Sequence, residues 1–205
     1  ILIGLIKERR KKSKAKIFTI DGGLSKITEL LSNKFINQLK LNTKVSTIVK
    51  HNKSYKITLN EGEDIFCDQI ISTIPSYSLK EIVFDGNLKR GLSKVNYNPI
   101  DVFHFGFDRD ALDVKIDGFG LLTKPEDKKS FLGILFSSNI FEHVSNKKKF
   151  LITVLAGGDR QKDLCKKSPK VLEEEILNEI EHLLKLKSEP EFKNHYRWSK
   201  GIPSY

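Results

Sequence analysis

The chain has 205 residues, 39% of them hydrophobic and 30% charged, with a formal net charge of +10. That balance is the composition of a soluble globular protein, and the length suits one large domain or parts of two. No apolar run reaches the roughly 18 residues of a membrane-spanning helix, and Ile1–Ile6 is too short for one and lacks a signal-peptide layout.

In chain order, Ile1–Lys16 reads as the tail of a helix followed by a charged loop, and Ile17–Ile20 as a short strand. Asp21–Gly23 is a turn with two glycines. Leu24, Ile27, Leu31, Phe35 and Leu39 recur at three- and four-residue steps, predicting a helix over Leu24–Leu41. A hairpin follows, with Val45–Val49 and Tyr55–Leu59 joined by the polar turn near His51–Ser54. A second turn at Glu61–Glu63 leads to a strand at Ile65–Phe66. Ile70, Ile71 and Ile74 then form a dense apolar run ending at Pro75, the pattern of a central strand buried on both faces. Ser76 is placed to cap a helix over Tyr77–Val83.

From about Asp85 strands succeed one another: Ile100–Phe107, Gly118–Thr123, Phe131–Phe136 and Phe150–Ala156, the last closed by Gly157 and Gly158. Ser168 followed by Pro169 starts a helix through Leu186, with Leu172, Ile176, Ile180, Leu183 and Leu184 as its apolar face. Glu173–Glu175 sit toward its N-terminus, where the helix dipole favours negative charge. Pro190 opens a final strand, Phe192–Trp198. The order predicts a mixed α/β or α+β chain whose second half is a multi-stranded mixed sheet with a packed helix.

The positive charge clusters at Lys7–Lys16, Lys147–Lys149 and Lys166–Lys167. No aromatic residues interleave with the first run, which argues against a single-strand nucleic-acid groove. A solvated lysine-rich surface is the first reading, and contact of Lys7–Lys16 with an anionic membrane the second. Cys67 and Cys165 have no CxxC partner, and the five histidines lack metal-ligand spacing, so no metal site is expected. There is no GxGxxG, P-loop, HExxH or GxSxG pattern, and Asp108–Asp110 reads as solvated surface. The glycines of Gly118–Leu122 admit two readings: a bulge or tight bend, or close approach of a flat ligand with Phe119 stacked beside it. Leu132–Phe136 repeats the theme one strand later.

Taken together these stretches resemble the protoporphyrinogen oxidase family, within the larger amine-oxidase and phytoene-desaturase group of flavoproteins. Phe18–Leu24 resembles a family segment in which two glycines and a leucine open a leucine-spaced helix. Val45–Ile48 resembles its V-x-x-I strand, and Asp68–Pro75 its D-x-V-I-x-T-x-P strand. Tyr97–Pro99, Gly118–Leu122, Leu132–Ser138 with Phe141, Leu155–Gly158 and Trp198–Tyr205 match later family segments in order. Ser204 departs from the glutamine usual there.

The resemblance implies part of a Rossmann-like FAD-binding domain plus a substrate-binding domain. Its layout is 1–16 as the end of a helical segment, 17–84 on the FAD side, 85–197 as the substrate domain and 198–205 returning toward FAD. It implies FAD as cofactor, with Val45, Thr73, Pro75 and Trp198 beside it. Phe119, Gly120, Leu122 and Leu135 would line the cavity of a porphyrinogen substrate, protoporphyrinogen IX or coproporphyrinogen III, oxidised in haem biosynthesis with oxygen as acceptor. No protein side chain is expected to be catalytic, since the flavin carries the redox chemistry. A dinucleotide fingerprint before Ile1 and a flavin segment after Tyr205 are expected, making this an internal piece that is inactive alone. A cytoplasmic location, with membrane association and a homodimer both left open, completes the expectation. A related amine oxidase or carotenoid desaturase is the alternative, and a basic non-enzymatic binding domain the third.

Overall fold

The computed structural model describes residues 18–84, 94–113 and 115–204. The expected helix tail and charged loop over Ile1–Lys16 lie outside them, as does the change of texture at Asp85. The chain forms two compact units, Ile1–Leu39 and Lys40–Tyr205.

In the first unit, α1 spans Ser25–Lys34 and a 3-10 turn follows at Ile36–Gln38, so the expected helix is real but shorter. Phe18–Ile20 forms no strand. No residue of α1 is buried within the described structure.

The second unit begins with a four-stranded sheet in the order β3-β2-β1-β4. β1 (Val45–His51) and β2 (Ser54–Leu59) form the expected hairpin, and β3 (Asp64–Cys67) adds antiparallel to β2. The expected helix over Tyr77–Val83 shrinks to α2 (Ser76–Leu79), with Pro75 rather than Ser76 at its N-cap. Val83 and Phe84 instead form β4, parallel to Thr47 and Ile48. A β-branched and an aromatic residue beside an unpaired edge gain more from the ladder than from another helical turn. The dense run at Ile70–Ile74 is not a strand; Ile71 is 90% exposed. A parallel central strand exists only with neighbours on both edges, and none of the described strands flanks this segment.

The rest is one five-stranded sheet in the order β6-β7-β8-β5-β9, antiparallel at every pairing rather than mixed. Its strands are β5 (Asn96–Asp108), β6 (Gly120–Leu122), β7 (Gly133–Leu135), β8 (Lys149–Gly157) and β9 (Phe192–Ser204). A short helix α3 (Ser137–Ile140) follows β7. β5 and β9 run well beyond the expected ends because each is the other's partner. Their register shifts between Asn98 and Ile100, at Pro99, which has no N–H for the ladder.

One face of this sheet is covered by α4 (Pro169–Leu184). Ser168 accepts a hydrogen bond from the Val171 N–H, and Pro169 takes the first helical position, as its residue order predicts. Leu172, Ile176 and Ile180, at four-residue steps, are wholly buried against Phe103, Phe105, Phe107, Phe150, Ile152 and Val154. Burying each such side chain stabilises the fold by about 1.5–3 kcal/mol. Leu183, expected on the same face, is 45% exposed, because the buried stripe follows the four-residue steps ending at Leu184.

Candidate functional site

Among the described residues no long helix packs on the other face of the five-stranded sheet, which is met only at Thr153 by Ser137 of the short α3. Strand alternation assigns its residues: with Phe103, Phe105 and Phe107 turned inward, Val102 and His104 turn outward. Register carries this across the sheet. Val102 pairs with Tyr196, Ile100 with Trp198, Leu135 with Thr153 and Gly120 with Leu135. Leu122 at one edge is 87% exposed, Leu135 43%, and Tyr196 and Trp198 at the other edge 55% and 52%. The two aromatic rings lie 4.6 Å apart. This is a broad apolar surface left open on a well-packed sheet, the kind of patch that marks a binding face.

Polar groups interrupt it near its middle. His104 Nδ1 lies 3.0 Å from Thr153 Oγ1, and Ser137 Oγ lies 2.8 Å from the same hydroxyl. Burial holds the His104 imidazole below its ordinary pKa, so the ring is neutral around pH 7.

Of the residues expected at the substrate, Gly120, Leu122 and Leu135 come together on β6 and β7. Phe119 precedes β6 and is 63% exposed, and its carbonyl accepts a hydrogen bond from the Phe136 N–H. Gly120 is glycine for a structural reason. It has φ +153°, and a Cβ there would strike the Ile134 carbonyl oxygen on the neighbouring strand. The two readings of this glycine pair are a bulge or bend and a flat ligand; at Gly120 the close neighbour is instead the backbone of the adjacent strand.

Trp198, expected beside the cofactor, shares the sheet face with the residues expected at the substrate. Val45, Thr73 and Pro75 lie around the smaller sheet. Thr73 and Pro75 are exposed in the extended segment before α2. Val45 starts β1, and β4 pairs only with Thr47 and Ile48, so Val45 has no ladder partner on that side among the described residues. An apolar cavity of about 540 Å³ opens between this sheet and the segment after β3, lined by Ile48, Tyr55, Ile70, Ile71 and Phe84. That volume is in the usual range of small-molecule sites. α2 joins the two sheets. Its Ser76 N–H donates to Tyr97 Oη (3.1 Å), the Tyr77 and Tyr97 rings meet edge-on at 4.9 Å, and the Lys200 ammonium lies 4.4 Å from the Tyr77 ring centroid. The junction thus brings Ser76 and Tyr77, which follow Pro75, to Tyr97 of β5 and Lys200 of β9.

Sequence reasoning missed a buried charge cluster on the covered face. Asp101 is wholly buried and accepts hydrogen bonds from Arg197 Nε (2.8 Å) and Nη2 (3.1 Å), with His195 Nε2 at 2.6 Å. Burial alone pushes its carboxyl up, but hydrogen bonds from Arg197, Cys165 and His195 and the guanidinium charge outweigh that and hold it below the usual carboxylate range. The neighbouring Cys165 thiol is pushed up to about 12, first by burial and then by Asp101. The signal was present: Asp101, Phe103, Phe105 and Phe107 are one inward series at period two, with an acid at its first position.

An antiparallel sheet with a helix on one face and an open apolar face, tied to a small sheet beside an apolar cavity, defines a class. The chain belongs to the flavin containing amine oxidoreductase family, whose model matches residues 5–205. It is similar to protoporphyrinogen oxidase 2 of Arabidopsis thaliana, 28% identical over 95% of this chain and 42% of that protein. It is similar also to the protoporphyrinogen oxidase of Dictyostelium discoideum, 30% identical over 94% of this chain and 42% of that one. Bacillus subtilis coproporphyrinogen III oxidase is 17% identical over 95% and 42%. Among solved structures, a protein of Exiguobacterium sp. 255-15 proposed as a protoporphyrinogen oxidase superposes with TM-score 0.75 at 19% identity, over 97% of this chain and 43% of that one. A putrescine oxidase superposes with TM-score 0.68 at 13% identity, over 90% and 42%. The chain therefore spans well under half the length of these relatives. Its cofactor is FAD, and the residues present fit a flavin dinucleotide: a backbone edge open at Val45, an apolar cavity, and an aromatic pair at the sheet's rim.

Proposed function

We propose that the complete protein is an FAD-dependent oxidase that converts a porphyrinogen, protoporphyrinogen IX or coproporphyrinogen III, to its porphyrin in haem biosynthesis, with oxygen as electron acceptor. The observation that carries this reading is the open apolar face between Leu122 and Trp198. A large, flat, mostly apolar substrate matches such a face, whereas a small amine would leave most of it wet. The porphyrinogen oxidases among its relatives support the same substrate class.

When bound, the flavin supplies the hydride acceptor. The chain's own residues supply surface and position. Leu122 and Leu135 press one side of the substrate, Tyr196 and Trp198 the other, and together they exclude water. Phe119 and the open edge at Gly120 border that surface. Val45, Thr73, Pro75 and Trp198 would hold the cofactor, with 17–84 on the FAD side, 85–197 as the substrate domain and 198–205 returning toward FAD.

The test is turnover by the complete, flavin-loaded protein given each porphyrinogen separately, read by porphyrin fluorescence. A rise with one of them is expected. No rise with either, or turnover of an amine or a carotene in their place, overturns the reading. The 205-residue chain alone is expected to bind FAD poorly and to be inactive. Stoichiometric flavin absorbance in the purified chain would contradict that. The reading includes a cytoplasmic location and leaves open a homodimer and, as the second reading of Lys7–Lys16, contact with an anionic membrane. Solution mass and salt-sensitive co-sedimentation with anionic vesicles check those two features.

A further inference from the structure

We propose that His104 is a substrate-contacting residue of the open face, its Nε2 accepting a hydrogen bond from a ring N–H of a tetrapyrrole lying flat on the sheet. The proposal rests on the porphyrinogen reading above and adds a residue to it.

Register places His104 in a row that crosses the face. Leu135 pairs with Thr153, Thr153 with His104, and His104 with Asn194, on β7, β8, β5 and β9 respectively. Three strand spacings make that row roughly 14 Å wide, comparable with a tetrapyrrole macrocycle. His104 and Thr153 occupy its middle, where the ring nitrogens of a flat-lying macrocycle would fall. Apolar side chains of the face, Leu135, Val102 and Tyr196, surround them.

The imidazole has one nitrogen engaged and one available. Nδ1 is paired with Thr153 Oγ1, and Ser137 Oγ stands behind that hydroxyl. Among the described residues Nε2 makes no hydrogen bond. It is also absent from the buried polar atoms lacking a partner, which among the described residues comprise Gln161 Oε1 alone. Nε2 is therefore open to the face. In the proposed tautomer Nδ1–H donates to Thr153 Oγ1 and the Thr153 hydroxyl donates to Ser137 Oγ, an arrangement both distances allow, and that tautomer leaves the lone pair on Nε2. The neutral ring that burial favours keeps that lone pair available.

The chemistry selects the reduced ligand. A porphyrinogen has saturated bridges, so its pyrroles tilt and their N–H groups leave the mean plane. In the porphyrin, conjugation flattens the ring, turns the remaining N–H groups inward and removes protons from the other nitrogens. An acceptor beneath the ring therefore meets a donor in the substrate and none in the product. His104 lowers the affinity for product relative to substrate, which favours release.

The experiment uses the complete, flavin-loaded protein and its His104→Leu and His104→Gln variants. KM and kcat are measured with the porphyrinogen that the wild type oxidises, and Kd for the corresponding porphyrin by fluorescence quenching. In His104→Leu, KM is expected to rise about tenfold, the worth of one net hydrogen bond, with kcat and the porphyrin Kd changed by less than about twofold. His104→Gln retains an acceptor and is expected to stay near wild type. An unchanged KM in an active His104→Leu enzyme overturns this inference alone. A porphyrin Kd that rises in step with KM also overturns it, since that is a general loss of contact. Failure of the wild type to oxidise either porphyrinogen removes the parent reading and this inference together.

Discussion

The two faces of the five-stranded sheet are both rich in apolar side chains, yet they have opposite fates. On the covered face, Phe103, Phe105, Phe107, Phe150, Ile152 and Val154 are wholly buried beneath Leu172, Ile176 and Ile180. On the open face, Leu122, Leu135, Tyr196 and Trp198 keep between 43% and 87% of their surface in contact with water. Hydrophobicity alone does not separate them. The covered face obtains its burial from the chain itself, and the open face, the surface proposed for the substrate, keeps its apolar side chains exposed. The polar groups follow the same division. Asp101 on the covered face is saturated by Arg197 and His195, whereas His104 on the open face keeps a nitrogen available.

The largest expected effect lies at the centre of the covered face. Phe105→Ala should cost about 3–5 kcal/mol through the cavity it leaves, read from the denaturant midpoint. A loss below about 1 kcal/mol would erase the distinction between the faces. Asp101→Asn comes next, at about 3 kcal/mol, because breaking a buried pair strands its partners. Arg197 and His195 keep some water, so the low end of that range applies. The folded carboxyl titrates below the unfolded value of about 3.9. Its contribution is therefore complete above that pH and is lost as pH falls through the folded value. Stability curves of wild type and Asp101→Asn should converge in acid below about pH 4. Convergence near neutrality would show that another group controls the cluster.

Gly120→Ala sits at the rim and should cost about 1–3 kcal/mol by forcing β6 away from Ile134, measured by thermal or denaturant unfolding. The smallest stability effect is expected for Leu122→Ser on the open face, within about 0.5 kcal/mol. Its KM for the porphyrinogen should nonetheless rise several-fold while the melting curve stays in place. A large drop in Tm with unchanged KM would assign Leu122 to the fold instead of the ligand.

Much of the scaffold was readable from local pattern. Ser168 and Pro169 start α4, and the steps Leu172, Ile176, Ile180 and Leu184 define its buried stripe. The hairpin of β1 and β2 follows from two apolar runs around a polar turn. Gly157 and Gly158 end β8 with φ of +102° and +64°. Other features depended on partners. Ile70–Ile74 has the composition of a central strand and no neighbour to pair with among the described residues. Val83 and Phe84 left the expected helix because Thr47 and Ile48 offered a ladder. For the candidate site, resemblance named Leu122 and Leu135 for the substrate and Trp198 for the cofactor, but not that the three share one sheet face.

The sequence by itself determined the period-two and four-residue repeats, the caps, the turns and the lysine-rich surface, because each depends on residues a few positions apart. Only the tertiary structure decided which side of β5 and β8 α4 would cover, that Asp101 would be enclosed by β9, and that His104 would face outward beside Thr153. Alternation says that two faces exist and not which one will meet a helix. That choice belongs to contacts between segments as far apart as Asp101 and Arg197, where burial and hydrogen-bond satisfaction are settled together.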